Sequence, residues 1–140
     1  MKIQDRMARS LTQRAGNVVL RTDLAKLGSP TQVSKVISDF IKEGRLIRVS
    51  RGVFVKTRIN RFTGQPTPAG TLESISGEIF DKLGVQVEPG QLAEDYNRGV
   101  SSQIPARFVV RPIGNRRIQR KIQVGDRIVQ YEKNQRVIKN

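Results

Sequence analysis

The chain has 140 residues, with 26 Lys and Arg side chains against 12 Asp and Glu, which gives a net charge of +14. A chain of this length buries enough surface for one ordinary domain or two very small ones, which excludes a large multidomain enzyme. The charge favours a polyanionic partner, and nucleic acid is the leading candidate. Because the sequence contains neither Cys nor His, it excludes a disulfide framework, a thiolate zinc site and any Ser-His or Cys-His nucleophile pair.

The sequence contains no segment that would direct the chain to a membrane. It has no run of about 18 apolar residues, and its first ten residues alternate charged with apolar side chains. We therefore expect a cytoplasmic protein with no membrane partner. Since the spacing of the acidic residues indicates no convergence on a metal ion, we also expect no catalytic residues, no metal site and no cofactor.

Positive charge is concentrated in two blocks of the chain. Residues 1–60 carry 13 basic and 4 acidic side chains, residues 61–104 carry 3 and 6, and residues 105–140 carry 10 and 2. Two glycines and two prolines within residues 60–70 interrupt every helical or strand pattern between the first two blocks. The predicted organisation is a domain over residues 1–58, a linker over 59–70 and a small α+β domain over 71–140.

The first block has a regular order of predicted elements. An amphipathic helix with apolar residues at positions 3, 7 and 11 precedes a β-branched stretch at 18–20 and a brief helix that ends near Gly28. Ser29-Pro30-Thr31-Gln32 then combines a Ser N-cap, a Pro at the first helical position and a Gln three residues after the cap. The longer helix that follows has one apolar face and ends at Gly44; the face consists of Val33, Val36, Ile37, Phe40 and Ile41.

A β-hairpin follows this longer helix. Two β-rich runs, 46–49 and 53–56, flank Ser50-Arg51-Gly52, where Gly supplies the left-handed position of a three-residue turn. We call this turn, residues 50–52, the wing. This is the order of elements in a winged helix-turn-helix: a helix, a short helix, a tight turn, a longer helix and a hairpin. We therefore predict an α+β chain whose first domain has that fold.

The longer helix and the hairpin carry polar side chains suited to duplex DNA. The major groove admits one helix, whose N-terminal residues meet the base edges. A cationic wing can enter a minor groove or hold the sugar-phosphate backbone. The candidate DNA-binding residues are therefore Ser29, Thr31, Gln32, Ser34, Lys35 and Ser38 on the helix and Arg48, Arg51 and Lys56 on the hairpin.

Less specific interpretations of the same residues are open. The side chain of Gln32 is equally well explained by closing a capping box, and polar residues opposite an apolar helix face are usually a solvated surface. Winged helices also bind proteins, so the architecture alone does not fix the ligand. The charge of the chain favours DNA among these alternatives.

The second block begins with a helix between Thr71 and Gly84, with apolar residues at positions 72, 75, 79, 80 and 83. A short strand at 85–87 and a helix at 91–97 follow. From Pro105 onward the hydrophobic period changes to two, which predicts a small antiparallel sheet. This sheet carries a candidate second basic patch, for phosphate or for an acidic protein, at Arg116, Arg117, Arg120 and Lys121.

Parts of both blocks resemble a known protein family. The segment RLIRVSRGVFVK at 45–56, preceded by the capped helix, is similar to the N-terminal winged-helix domain of the AbiEi family of bacterial antitoxins. The segments VEPGQLA at 87–93 and NRGVSSQIPA at 97–106 resemble the second half of the same family. The resemblance implies a transcriptional repressor that binds repeats in its own promoter and counteracts a cognate toxin of nucleotidyltransferase type.

By position, the resemblance implies that Thr31, Gln32, Ser34 and Lys35 face the groove of the DNA and that Arg48 and Arg51 act as the wing. The chain departs from the family at Phe54, where many relatives have Tyr, and it ends before the C-terminal segment of longer members. Three function classes are open: a DNA-binding autorepressor and antitoxin, or the same regulator without a toxin; a basic RNA- or ribosome-associated protein; and an enzyme acting on nucleic acid. We expect the first class and no enzymatic activity.

Overall fold

The computed structural model describes residues 2–89, 108–113 and 120–132. It confirms the predicted α+β class, and the chain divides into two compact units, Met1–Thr71 and Leu72–Asn140. Within the described ranges, none of the helices has the length and apolar character needed to cross a bilayer.

The first unit is built around one central strand. Its elements are α1 (Ile3–Gln13), β1 (Val18–Leu20), a 3₁₀ helix (Arg21–Leu27), α2 (Pro30–Lys42), β2 (Leu46–Ser50), β3 (Val53–Ile59) and β4 (Pro66–Pro68). Strand β3 pairs antiparallel with β1, with β2 and with β4. The order of elements through β3 is the predicted one, and Gly52 in the wing has the expected left-handed backbone, with a φ of 68°.

Helix α2 begins at the predicted cap. The Ser29 Oγ accepts a hydrogen bond from the Gln32 N–H at 3.2 Å, and the Gln32 Oε1 accepts one from the Ser29 N–H at 3.1 Å. Four residues of the predicted apolar face, Val33, Val36, Ile37 and Phe40, are buried in a core that α2 shares with α1, the 3₁₀ helix, β1, β2 and β3, and Ile41 packs against this core while partly buried. Because this burial fixes the rotation of α2 about its axis, positions 31, 34, 35 and 38 are exposed on the opposite side.

The segment 59–70, assigned to a linker from its glycines and prolines, contains a strand. Residues 66–68 pair with residues 57–59 of β3. The Thr57 Oγ1 also donates a hydrogen bond to the Gly44 carbonyl at 2.6 Å, which joins β3 to the end of α2. Among the described strands β4 pairs with β3 alone, and an edge position tolerates proline because the missing N–H need not serve a second neighbour.

Gly44 is the point where the end of α2 meets β4. It has a φ of 76°, and a Cβ added there would lie 2.6 Å from the Cγ of Pro66. Gly64 has a similar φ of 70°, but a Cβ there meets nothing within 4 Å. We expect Gly64→Ala to lower the free energy of unfolding by about 1 kcal/mol, from the left-handed backbone alone. Gly44→Ala should lose about 1–3 kcal/mol more, because the Pro66 ring must move.

Urea unfolding of the two variants measures this difference. Equal losses would contradict the packing of Pro66 against Gly44, since the backbone cost is common to both positions.

The described part of the second unit contains one α-helix and four strands. They are α3 (Leu72–Leu83), β5 (Val87–Pro89), β6 (Phe108–Pro112), β7 (Gln123–Val124) and β8 (Arg127–Tyr131), with the sheet order β5-β6-β8-β7. Helix α3 and its terminal Gly84, with a φ of 69°, match the prediction. The predicted strand at 85–87 is found two residues later, and the predicted helix at 91–97 lies outside the described residues.

The antiparallel prediction for this sheet is confirmed for two of its pairings. Strands β5 and β6 pair antiparallel, as do β7 and β8, but β6 and β8 pair parallel. Alternating hydrophobicity shows which face of a strand is buried and carries no information on the direction of its neighbour. A parallel pair needs a crossover connection, and the sequence pattern did not indicate one.

An exposed ion pair links α3 to β8. The Arg127 guanidinium donates hydrogen bonds of 3.0 and 2.6 Å to the two carboxylate oxygens of Glu73. The hydrogen bond with Arg127 lowers the pKa of Glu73 below its ordinary value of 4.5. A depressed folded pKa means that the stabilisation is present above 4.5 and is lost as the pH falls through the folded value.

Glu73→Gln tests this pair. Both side chains are 45% exposed, so solvent screening limits the expected loss at neutral pH to about 1 kcal/mol or less. The difference from the wild type should shrink as the pH falls below 4.5 in a series of urea unfolding curves. A difference that does not change with pH would contradict a stabilising role for the carboxylate charge.

Candidate nucleic-acid interface

An open groove of about 200 Å³ lies between α2 and the β2–β3 hairpin. Among the described residues that line it, three are arginines and none is acidic. The lining residues are Arg21, Ser34, Ile37, Ser38, Arg48, Arg51, Gly52 and Phe54. The groove is therefore cationic, with an apolar floor of Ile37 and Phe54, which are both buried.

The predicted helix residues divide into two groups according to their contacts. Ser29 and Gln32 engage each other across the cap, and Ser34 accepts a hydrogen bond at its Oγ from Arg21. Thr31, Lys35 and Ser38 are exposed on the outward face of α2. The first group stabilises the leading turn of the helix, and the second is exposed to solvent.

Gln32 illustrates the difference between these two roles. A bidentate contact with adenine uses both the amide oxygen and the amide nitrogen. In this structure the Gln32 Oε1 already accepts the Ser29 N–H at 3.1 Å. The capping interpretation left open by the sequence is therefore the arrangement found here.

Two of the three predicted hairpin residues lie at the groove. Arg51 is exposed at the wing, beside Gly52. Arg48 lies opposite Phe54 in the strand register, and its guanidinium carbon is 5.5 Å from the centre of the Phe54 ring. Stacking on an aromatic face orients a guanidinium and leaves its positive charge available to an anion.

Lys56, the third predicted hairpin residue, lies away from the groove. It pairs with Leu46, at the opposite end of the hairpin from the wing. Its Nζ donates a hydrogen bond to the Arg14 carbonyl at 2.7 Å, and Arg14 is the C-cap of α1. A cation at a helix C-terminus stabilises the unpaired carbonyls there, so the structure places Lys56 in a helix-capping position rather than beside the wing.

Arg21 is a groove residue that the sequence analysis did not single out. Its Nη2 donates hydrogen bonds to the Pro30 carbonyl at 3.0 Å and to the Ser34 Oγ at 2.7 Å. Its backbone N–H donates to the Gly52 carbonyl at 2.8 Å. Arg21 therefore joins the first turn of α2 to the wing. The pairing of Leu20 with Val53 brings it there, and no local sequence signal marks that pairing.

The candidate second basic patch is described only in part. Arg116 and Arg117 lie outside the described residues, whereas Arg120 and Lys121 come just before β7. The Arg120 carbonyl accepts a hydrogen bond from the Tyr131 hydroxyl, and burial raises the pKa of Tyr131 above its ordinary value of 10.0.

Other cations of the second sheet are paired with carboxylates. Arg111 bonds to Glu88 at 2.6 Å and to Glu132 at 3.0 Å. Arg127 bonds to Glu73. The positive charge of these two arginines is therefore compensated locally, in contrast to the groove of the first unit, whose lining includes no acidic residue in the described part of the chain.

Among the described residues, no group of three or more acidic side chains is placed to hold a metal ion.

No curated protein matches the sequence. A family with the description "Family of unknown function (DUF6088)" matches residues 2–139. Because this match spans almost the whole chain, the protein belongs to the DUF6088 family.

Proposed function

We propose that this protein is a sequence-specific double-stranded DNA-binding transcriptional regulator that represses its own promoter, and that its first unit is a winged helix-turn-helix. The observation that carries the proposal is the arginine-lined groove between the outward face of α2 and the wing. A helix with an exposed first turn beside a cationic hairpin suits a duplex, because the helix can enter the major groove while the hairpin holds the adjacent backbone.

The proposed DNA contacts are divided between the outward face of α2 and the hairpin. Thr31, Lys35 and Ser38 face outward and would meet base edges. Arg48 and Arg51 would meet phosphates, which carry no sequence information but fix the register of the protein on the duplex. Arg21 and the Ser29 cap hold the leading turn of α2 in place for both sets of contacts.

Affinity measurements with three nucleic acids test this proposal. The probes are a duplex from the protein's own upstream region, a scrambled duplex of the same composition and a structured RNA. We expect the upstream duplex to bind about 10³-fold more tightly than the scrambled one, with an affinity that falls steeply as salt rises. Equal affinity for both duplexes would contradict sequence-specific recognition. A preference for the RNA would favour the RNA-binding alternative.

We further propose that this regulator acts in the cytoplasm as the antitoxin of a toxin-antitoxin or abortive infection system, with a nucleotidyltransferase-type toxin as its partner. The support is the resemblance of residues 45–56, 87–93 and 97–106 to AbiEi antitoxins. The test is to express the reading frame immediately downstream alone and together with this protein. Rescue of a growth defect would support the antitoxin role. A toxic neighbour that this protein does not counteract would contradict that role and leave DNA binding unaffected.

A further inference from the structure

The turn between β3 and β4, residues 60–64, presents an aromatic ring to solvent. Phe62 is 97% exposed, and Ile59 at the end of β3 is 62% exposed. A single exposed apolar residue is common on protein surfaces and is no evidence of function alone. The backbone of the turn and the charge near Phe62 distinguish this residue from an ordinary exposed apolar side chain.

Hydrogen bonds hold the turn in one conformation. The Asn60 Oδ1 accepts the N–H of Phe62 at 2.8 Å and the N–H of Thr63 at 3.1 Å. Asn60 also bonds through its backbone to Gln65 at 2.9 Å and to Gly64 at 2.8 Å. Because the backbone is already ordered, placing the Phe62 ring against a partner would cost little conformational entropy.

The segment of chain that contains Phe62 carries only positive charge. Between Gly44 and Leu72 the sequence contains no acidic residue and six basic ones: Arg45, Arg48, Arg51, Lys56, Arg58 and Arg61. Arg58 and Arg61 are exposed close to Phe62 in the sequence. An apolar ring flanked by arginines complements a DNA minor groove, where apolar side chains press against base steps while cations contact the phosphates.

The turn lies at the far end of β3 from the wing. This strand has seven residues, so it separates the two turns by roughly 20 Å. One turn of duplex, about ten base pairs, measures about 34 Å, so a separation of roughly 20 Å corresponds to about six base pairs between a contact made by the wing and one made by the β3–β4 turn.

We propose that the β3–β4 turn is a second DNA contact, in which Phe62 lies against a base step of the minor groove and Arg61 contacts a phosphate, on the flank of the site read by α2. This inference rests on the proposed function. It assigns to Phe62 a binding role that is separate from the groove.

Affinities for two duplexes of different length test the contact. The short duplex covers only the base pairs that the wild-type protein protects most strongly in its upstream region, and the long duplex adds about one helical turn on each side. Phe62→Ala should weaken binding to the long duplex about 10-fold and leave binding to the short duplex unchanged. Arg61→Ala should make the dependence of log affinity on log salt less steep by about 1, on the long duplex only.

Two controls accompany these variants. Phe62 is outside the buried core, so Phe62→Ala should keep the wild-type urea midpoint. Ile128→Ala removes another exposed apolar side chain, 42% exposed on β8, and should bind both duplexes as the wild type does.

A fluorescence experiment detects the contact directly. The chain has no tryptophan, so Phe62→Trp places the sole indole at the proposed contact. Its emission should be quenched by the long duplex, where the indole can stack on a base. The short duplex lacks the flanking base pairs and should not quench it. Ile128→Trp should show no quenching by either duplex.

The outcomes separate this inference from the proposed function. A wild-type protein with no preference for its upstream duplex would overturn both. A wild-type protein with that preference, together with a Phe62→Ala variant of unchanged affinity for the long duplex, would overturn the second contact alone.

Discussion

Lys35→Ala is expected to weaken binding to the upstream duplex about 5- to 150-fold and to leave binding to a scrambled duplex nearly unchanged, the range that one lost base contact gives. Lys35 is exposed on the outward face of α2, in the second turn after the Ser29 cap. Residues near the start of a recognition helix meet base edges, and a lost base contact removes discrimination between sequences.

Arg51→Ala should behave differently from Lys35→Ala. Arg51 lies at the wing, where the expected partner is a phosphate. Since phosphates are the same in every sequence, affinities for the upstream and scrambled duplexes should fall by similar factors. The slope of log affinity against log salt should also become less steep by about 1.

Lys42→Ala is the matched control, because it removes the same charge from the last turn of the same helix. It should change the two affinities alike or not at all. Fluorescence anisotropy with both duplexes at several salt concentrations measures all three variants. A loss of preference in Lys42→Ala as large as that in Lys35→Ala would contradict docking of α2 through its N-terminal end.

Local chemistry made helix α2 and its exposed face predictable. Ser29, Pro30 and Gln32 mark the start of α2, and the spacing of its apolar residues identifies the buried face. The same information cannot separate Gln32, which bonds to the cap, from Lys35, which lies outside the cap. Both are polar residues near the start of the helix, and only the three-dimensional contacts assign them different roles.

The positions of Arg21 and Lys56 depend on pairing between distant segments, which the sequence did not indicate. Arg21 lies in the groove because β1 pairs with the start of β3, and Lys56 contacts Arg14 across 42 positions of sequence. Hydrophobic periodicity describes one element at a time and does not specify such partners. Strand β4 was not predicted for a related reason. Its prolines interrupt the strand pattern of the sequence, but proline is compatible with an edge strand.

Phe40→Ala is expected to lower the free energy of unfolding of the first unit by about 3–5 kcal/mol, the usual cost of removing a buried aromatic ring. Phe40 is 1% exposed in the core between α1, α2 and the sheet. The guanidinium carbon of Arg45 lies 4.0 Å from the centre of its ring. Against a typical domain stability of about 5–15 kcal/mol this loss is large. DNA binding should therefore decrease together with folded structure.

Phe62→Ala provides the comparison for this stability change, because it removes the same side chain from a fully solvated position of the same unit. Its urea midpoint should match that of the wild type. Equal midpoints for Phe40→Ala and Phe62→Ala would contradict the buried position of Phe40.

The Phe40→Leu variant tests whether Phe40 affects DNA recognition only through the stability of the fold. A leucine fills most of the space of the ring and should cost less stability than alanine. Since Phe40 does not line the groove, a folded Phe40→Leu protein should keep the wild-type preference for the upstream duplex. A folded variant without that preference would show that the core residue acts on recognition directly. Retained preference would show that α2 needs the core only to hold its outward face in position.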